Sequence, residues 1–234
     1  MDLNEIVYKI ESLYNTRNFS HSWRLLNTKK EIVQKNNGIF IITLNPGTGK
    51  GRYKMHDYTL ANEHGNSLLH EKWASPLQNQ LKLMLKQIHG ELKLVINIDD
   101  FIESILQGYF IPFRSESVDQ LKVDEEILSL SNEIWRYILE INKDTVQLIN
   151  CIGKIDVYNN IKSVLNDIGM NFIKEEKYKT GWGNYTVDIS EYNNNGRIIK
   201  VIGYLHLSKF KIFGRPESAV YLKRIISESV DHII

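Results

Sequence analysis

Apolar residues recur at three- and four-residue steps in Leu3, Ile6, Ile10 and Leu13, which predicts an amphipathic first helix. Residues 38–44 (GIFIITL) form a continuous apolar run rich in β-branched side chains, as expected of a buried parallel strand. The run stops at Asn45-Pro46-Gly47, where proline and glycine force a turn. Residues 48–74 are polar and irregular and predict a long loop, a kind of segment that is uncommon in compact domains and often functional. Ser75 then caps a helix with Pro76 at its first position and Gln78 completing a capping box, and Leu77, Leu81, Met84 and Ile88 continue its inner face. A second strand is predicted at Tyr109–Phe113, ended by Pro112. Ile127, Leu130, Ile134, Ile138 and Ile141 mark the clearest helix. Residues 145–152 (TVQLINCI) read as a third buried strand closed by Gly153-Lys154, and a further helix runs near 156–168 and stops at Gly169. Tyr185–Ile189 and Ile198–Leu205 read as strands joined across the Asn193–Gly196 turn, and Pro216 opens a last helix with Ala219, Leu222, Ile225, Ile226 and Val230 inward.

Strands alternating with helices predict a largely parallel sheet covered on both faces. The expected architecture is a three-layer α/β/α sandwich around four parallel strands, with an added hairpin strand or two. No repeat or low-complexity linker divides the chain, so residues 1–234 read as one domain with a helical extension over 1–35. Ligands in such sheets bind beyond the carboxyl ends of the strands, where strand order reverses.

Composition narrows the partners. Hydrophobic residues make up 42% and charged residues 24%, ordinary values that argue against disorder. The net charge is +1, so a nucleic-acid surface would have to be a local patch. The single cysteine, Cys151, excludes an internal disulfide and an all-cysteine metal site, and its place in an apolar strand reads as core. Met1–Glu5 lacks the flank of a signal peptide, and no apolar stretch approaches the roughly 18 residues of a membrane span. These features predict a cytoplasmic, reducing setting without a membrane.

Two strand ends carry unusual chemistry. After Asn45-Pro46-Gly47 comes a segment holding Lys50, Arg52 and Lys54, with no acidic residue between Asn45 and His56. Gly49-Lys50 suggests a phosphate loop, but that motif needs glycine at the position of Leu44 and Ser or Thr at that of Gly51, so it fails twice. The second segment is Tyr204-Leu205-His206-Leu207-Ser208-Lys209-Phe210-Lys211. No acidic residue stands between His206 and Pro216, a stretch that also holds Arg215. A histidine followed by a hydroxyl and by cations around an aromatic can hydrogen-bond a base and grip phosphates. His56, His64 and His70 match no zinc pattern, and no metal is expected.

Taken in order, these segments resemble the uracil-DNA glycosylase superfamily, whose mismatch-specific and single-strand-selective branches end the first strand in Asn-Pro-Gly and a late strand in a His- or Asn-led loop with Ser. Ile111-Pro112-Phe113-Arg114-Ser115, Ile149–Lys154 and Trp73–Leu77 resemble further segments of these proteins, so the likeness spans about residues 38–224. The resemblance implies a DNA partner, base flipping, no cofactor, and hydrolysis of an N-glycosidic bond in base-excision repair. Asn45 would orient the attacking water and His206 would donate to the base carbonyl as charge develops there. Pro46, Gly47, Tyr53, Tyr58, Tyr109 and Phe113 would surround the base. Lys50, Arg52, Arg114, Ser208, Lys209, Lys211 and Arg215 would hold the backbone, with Phe210 a wedge into the duplex. The family's Asn at the end of the second strand has no counterpart, because Gly108 or Tyr109 stands there. That departure leaves a modified pyrimidine, such as one carried by a phage genome, or binding without cleavage as alternatives to uracil excision. A small-nucleotide hydrolase using Gly49-Lys50 is a third, weaker reading.

Overall fold

The computed structural model describes residues 2–48, 57–71 and 75–233. In chain order the elements are α1 (Leu3–Arg17), α2 (Ile32–Lys35), β1 (Ile39–Thr43), α3 (Ser67–His70), α4 (Pro76–Glu91), α5 (Ile98–Glu103), β2 (Leu106–Tyr109), α6 (Val118–Leu121), α7 (Glu125–Ile141) and β3 (Leu148–Ile152). A π-helical turn (Lys154–Tyr158) leads into α8 (Asn159–Asp167), followed by β4 (Asn171–Lys179), β5 (Thr186–Asn194), β6 (Arg197–Tyr204) and α9 (Ala219–Val230).

The protein is α/β, with one six-stranded mixed sheet in the order β2-β1-β3-β6-β5-β4. The four neighbours β2, β1, β3 and β6 are parallel, and β5 and β4 add an antiparallel pair. The sheet thus holds four parallel strands and two antiparallel ones, where four with an added hairpin strand or two were expected. β5 and β6 do meet at a tight turn, with Asn195 and Gly196 both at positive φ, the conformation of a two-residue hairpin turn. The strand that escaped prediction is β4. It is an edge strand exposed along most of its length, so its pattern of charges carries no buried alternation.

Period-two alternation divides the core. Phe40, Ile42, Ile149, Cys151, Ile199 and Val201 pack into one cluster with α1, α7 and α8. Their neighbours Ile39, Ile41, Leu148, Ile152, Ile202 and Tyr204 pack into a second cluster with α4, α5 and α9. Parallel strands buried on both faces need apolar residues at every position, which is why the sequence shows runs rather than alternation there.

Two boundaries differ from expectation. The second strand starts three residues earlier than the Tyr109–Phe113 run suggested. Residues beyond Tyr109 leave the sheet while Phe110 and Ile111 still donate to Thr43 and Leu44 carbonyls. The N-terminal 35 residues are also more than an appended helix. α1 ends at Asn18 (φ 50°), and the chain then runs antiparallel past the free edge of β2. Tyr109 N donates to Leu25 O at 2.8 Å and Asn27 N to Gln107 O at 2.8 Å. Gly108 permits that approach: a Cβ there would lie 3.1 Å from Leu25 O and 3.2 Å from the Trp135 ring. No helix among the described residues is long and apolar enough to cross a membrane.

Candidate functional site

Strand order reverses at β1, which has β2 on one side and β3 on the other, so a ligand crevice is expected beyond the carboxyl ends of these strands. A cavity of about 310 Å³ lies there, on the α4 side of the sheet. Asn45, following β1, and His206, following β6, both line it, although 160 residues separate them in sequence and β3 lies between their strands. Gly47, Tyr109 and Arg114 line it as well.

The Asn45 amide is held rigidly. Its Nδ2 donates to Ser115 Oγ at 2.8 Å and to Phe113 O at 3.3 Å. Carbonyl oxygens can only accept, so the NH₂ group must face them, and Oδ1 is left as an acceptor without a protein donor among the described residues. The turn carrying it is pinned too: Arg114 Nη1 donates to Gly47 O at 2.6 Å and Ser115 N to Pro46 O at 3.3 Å.

His206 is partly buried at the cavity wall, with Ser208 Oγ 2.7 Å from its Nδ1. Burial pushes its pKa below the ordinary histidine value, opposed by a backbone hydrogen bond and by the charge of Asp156. The neutral ring therefore prevails at neutral pH. In the tautomer in which the Ser208 hydroxyl donates to Nδ1, the ring proton sits on Nε2.

The remaining wall is polar, and most of it was not foreseen. Gln107 is 2% exposed, and its Oε1 has no hydrogen-bond partner among the described residues. It stands opposite Ile41 on β1, and Asn150 of β3 stands opposite Ile41 on the other side. The Asn150 Oδ1 is likewise buried without a partner. Two amides thus interrupt an otherwise apolar cross-strand row beneath the cavity. Buried polar groups without partners are rare, and each calls for an explanation. Asn27, buried, accepts from Arg24 Nη1 at 3.4 Å. Burial also raises the Tyr109 pKa, so this phenol stays protonated.

Glu71 adds a carboxylate, but both oxygens are engaged: Arg24 Nη1 donates to Oε1 at 2.7 Å and Gln78 Nε2 to Oε2 at 2.8 Å. Asp57 joins Arg24 to Arg114, and the Arg114 side chain is only 1% exposed. The N-terminus of α4 closes the cavity with Ser75, Leu77 and Gln78, and its capping box forms as the sequence predicted. Polar residues within buried strands (Gln107 in LQGY, Asn150 in LINCI) were the available sequence signal for this wall.

Several predicted positions are not placed for the roles expected of them. Phe113 is fully buried and stacks on Phe19 with centroids 4.3 Å apart, so it cannot contact a base. Pro46 is buried beneath the turn, outside the cavity lining. Tyr58 is exposed and packs edge-on against Tyr14 at 5.5 Å, hydrogen-bonded to its hydroxyl. Arg114 is buried in the Asp57 network rather than presented to a DNA backbone. Phe210 is held against Tyr185 at 4.6 Å, and a ring so packed is not a free wedge. Ser208 is turned to His206, whereas Lys209 and Lys211 are exposed. Arg215 lies over the Trp182 ring at 4.2 Å and donates to Glu217 at 3.2 Å. Lys50, Arg52, Tyr53, Lys54, His56 and Trp73 lie outside the described residues. Among the described residues no group of three metal-ligating side chains converges.

The fold and site define an α/β protein with a polar cavity at the carboxyl ends of its parallel strands. No protein-family model and no curated protein matches the chain.

Proposed function

We propose that this protein is a DNA glycosylase of the uracil-DNA glycosylase type, taking a flipped base into the cavity and hydrolysing its N-glycosidic bond without a metal. The observation that carries the reading is the convergence of Asn45 and His206 on one cavity from strand ends with 160 residues between them, Asn45 anchored through its NH₂ and His206 through the contact of its Nδ1 with Ser208. The parallel order β2-β1-β3-β6 supports the same fold assignment, with β5 and β4 as an added hairpin.

The chemistry follows from these groups. Breaking the C1′–N bond leaves an oxocarbenium-like sugar and a base anion. The Nε2–H of His206 donates to the base carbonyl where that charge accumulates, and a preorganised donor of this kind is worth about 10²–10³ in rate. Asn45 Oδ1 accepts from a water and orients it toward C1′. An amide cannot take the proton, so Asn45 contributes position alone. Gln107, with a donor and an acceptor on one buried group, supplies the amide that Gly108 and Tyr109 could not, and reads the edge of the base. Its unpartnered oxygen is then an acceptor awaiting ligand.

Incubation with oligonucleotides bearing uracil, mismatched or modified pyrimidines, followed by alkali, reveals abasic sites. Strand breaks with wild type but not with Asn45→Ala are expected, and full excision by Asn45→Ala would overturn the assignment. A second reading, recognition without cleavage, is favoured by one observation: the Glu71 carboxylate in the cavity is already paired through both oxygens. It predicts salt-sensitive DNA binding with no abasic product for any base in the panel.

A further inference from the structure

Three aromatic rings stand together beside the cavity, and the function described so far uses none of them. Trp182 and Tyr185 come from the β4–β5 turn and Phe210 from the turn after His206. Their centroids are 5.1 Å (Trp182–Tyr185), 4.6 Å (Tyr185–Phe210) and 6.2 Å (Trp182–Phe210) apart, and all three rings remain half-exposed. The cluster adjoins the cavity because Phe210 N donates to His206 O at 3.0 Å, one turn from the imidazole.

Cations surround the rings. Arg215 lies 4.2 Å from the Trp182 centroid and Lys209 5.6 Å from that of Phe210, with Lys211 exposed on the same loop. Glu217 pairs with Arg215 and leaves both lysines uncompensated along 206–216. The turn is built to fix its rings. Gly181 (φ +75°) lies against α9, where a Cβ would be 2.4 Å from Tyr221 and 2.5 Å from Glu217 O, and Thr180 Oγ1 donates to Tyr185 O at 3.1 Å.

We infer that Trp182, Tyr185 and Phe210 form a stacking platform for unpaired nucleobases flanking the base held in the cavity, with Lys209, Lys211 and Arg215 tracking the phosphates. The inference rests on the glycosylase reading for the position of the strand and deepens it by assigning the substrate as single-stranded or locally unpaired DNA. The physical reason is that every base has a π-face and stacks on an aromatic ring at about 1–3 kcal/mol per base, whereas in a duplex those faces are already stacked on one another. A half-exposed aromatic cluster joined to a cationic loop is complementary to a strand whose bases are free.

The test is fluorescence anisotropy of a labelled oligo-dT strand and of a matched duplex with the 234-residue protein, at two salt concentrations. Wild type is expected to bind the single strand more tightly. The Trp182→Ala/Tyr185→Ala double variant should lose roughly tenfold or more of single-strand affinity and little of duplex affinity. Trp182→Phe/Tyr185→Phe keeps the rings and should keep the affinity, so a general folding defect would show as loss in both variants and in the thermal melt. Equal single-strand affinity for wild type and the alanine variant, or equal losses on strand and duplex, would overturn the platform. The two readings fail separately. Platform-dependent binding without excision of any base would retain the inference and remove the glycosylase, whereas excision from single strands unaffected by the alanine variant would do the reverse.

Discussion

The two ends of the parallel sheet use the same side chain, asparagine, in opposite ways. At the amino end, Asn142 closes α7 with every hydrogen-bonding position filled. Its Nδ2 donates to Ile138 O at 2.7 Å and to Val33 O at 2.8 Å, while Oδ1 accepts from Asn36 at 2.8 Å and from Thr145 at 3.4 Å. Asn36 in turn caps Gly38 N, and Asn37 caps Ile39 N, so the entry to β1 is closed by side chains. At the carboxyl end, Asn45 is anchored through its NH₂ only, and Gln107 keeps an oxygen without a partner. A satisfied amide stabilises a turn, whereas an amide with a fixed orientation and a spare atom is poised for a ligand. The contrast is one of hydrogen-bond saturation: among the described residues the amides at the amino end are fully engaged, and Asn45 and Gln107 at the cavity keep an atom without a protein partner.

The sharpest way to break that contrast is to remove the cavity groups. His206→Ala and Asn45→Ala should each lower kcat by about 10²–10³, measured by single-turnover abasic-site formation, while the folded state persists in circular dichroism. On the glycosylase reading, excision should hold steady at neutral pH and fall as the pH drops through the depressed His206 pKa, where both ring nitrogens carry protons, Ser208 can only accept from Nδ1, and the position of the ring changes. A rate that rises on acidification would show that imidazolium, not imidazole, is the active form.

Asn142→Ala should do the opposite, costing roughly 2–4 kcal/mol of stability by removing the donor to the Ile138 and Val33 carbonyls and the acceptor for Asn36, while leaving any excision rate of the folded protein unchanged. Chemical denaturation and kcat on one preparation test both halves. Gln107→Leu sharpens the contrast further. It removes an unpartnered buried acceptor, so stability should hold or rise by about 1 kcal/mol, while kcat/KM falls about tenfold or more. A destabilised Gln107→Leu with normal activity would make Gln107 a structural residue. The smallest effect belongs to Lys209→Ala, expected to lower the salt slope of DNA binding by about one and to change stability by less than about 0.5 kcal/mol.

The features legible in the sequence share a local cause. β1, β3 and β6 announced themselves as apolar runs because both of their faces are covered, and α4 because its capping box is a contact between residues three apart. Asn45 and His206 stood out because each follows the abrupt end of such a run. The rest depended on contacts between distant segments. Phe113 looked like a ring beside a base until the segment after α1 folded over β2 and brought Phe19 onto it. Arg114 looked like a phosphate contact until Asp57, 57 residues upstream, neutralised it in the interior. Gln107 lies before the apolar run Tyr109–Phe113, and a strand read from that run does not show which side chains face α4.

Local pattern therefore sufficed to name β1, β3, β5 and β6, the longer helices and the two strand ends that carry the candidate chemistry, since hydrophobic period and turn chemistry act over a few residues. The order of the strands, the single cavity shared by Asn45 and His206, and the identity of its polar wall came from chain crossings and register. Those are set by which surfaces can be buried together across the whole chain, and no window of sequence contains both partners.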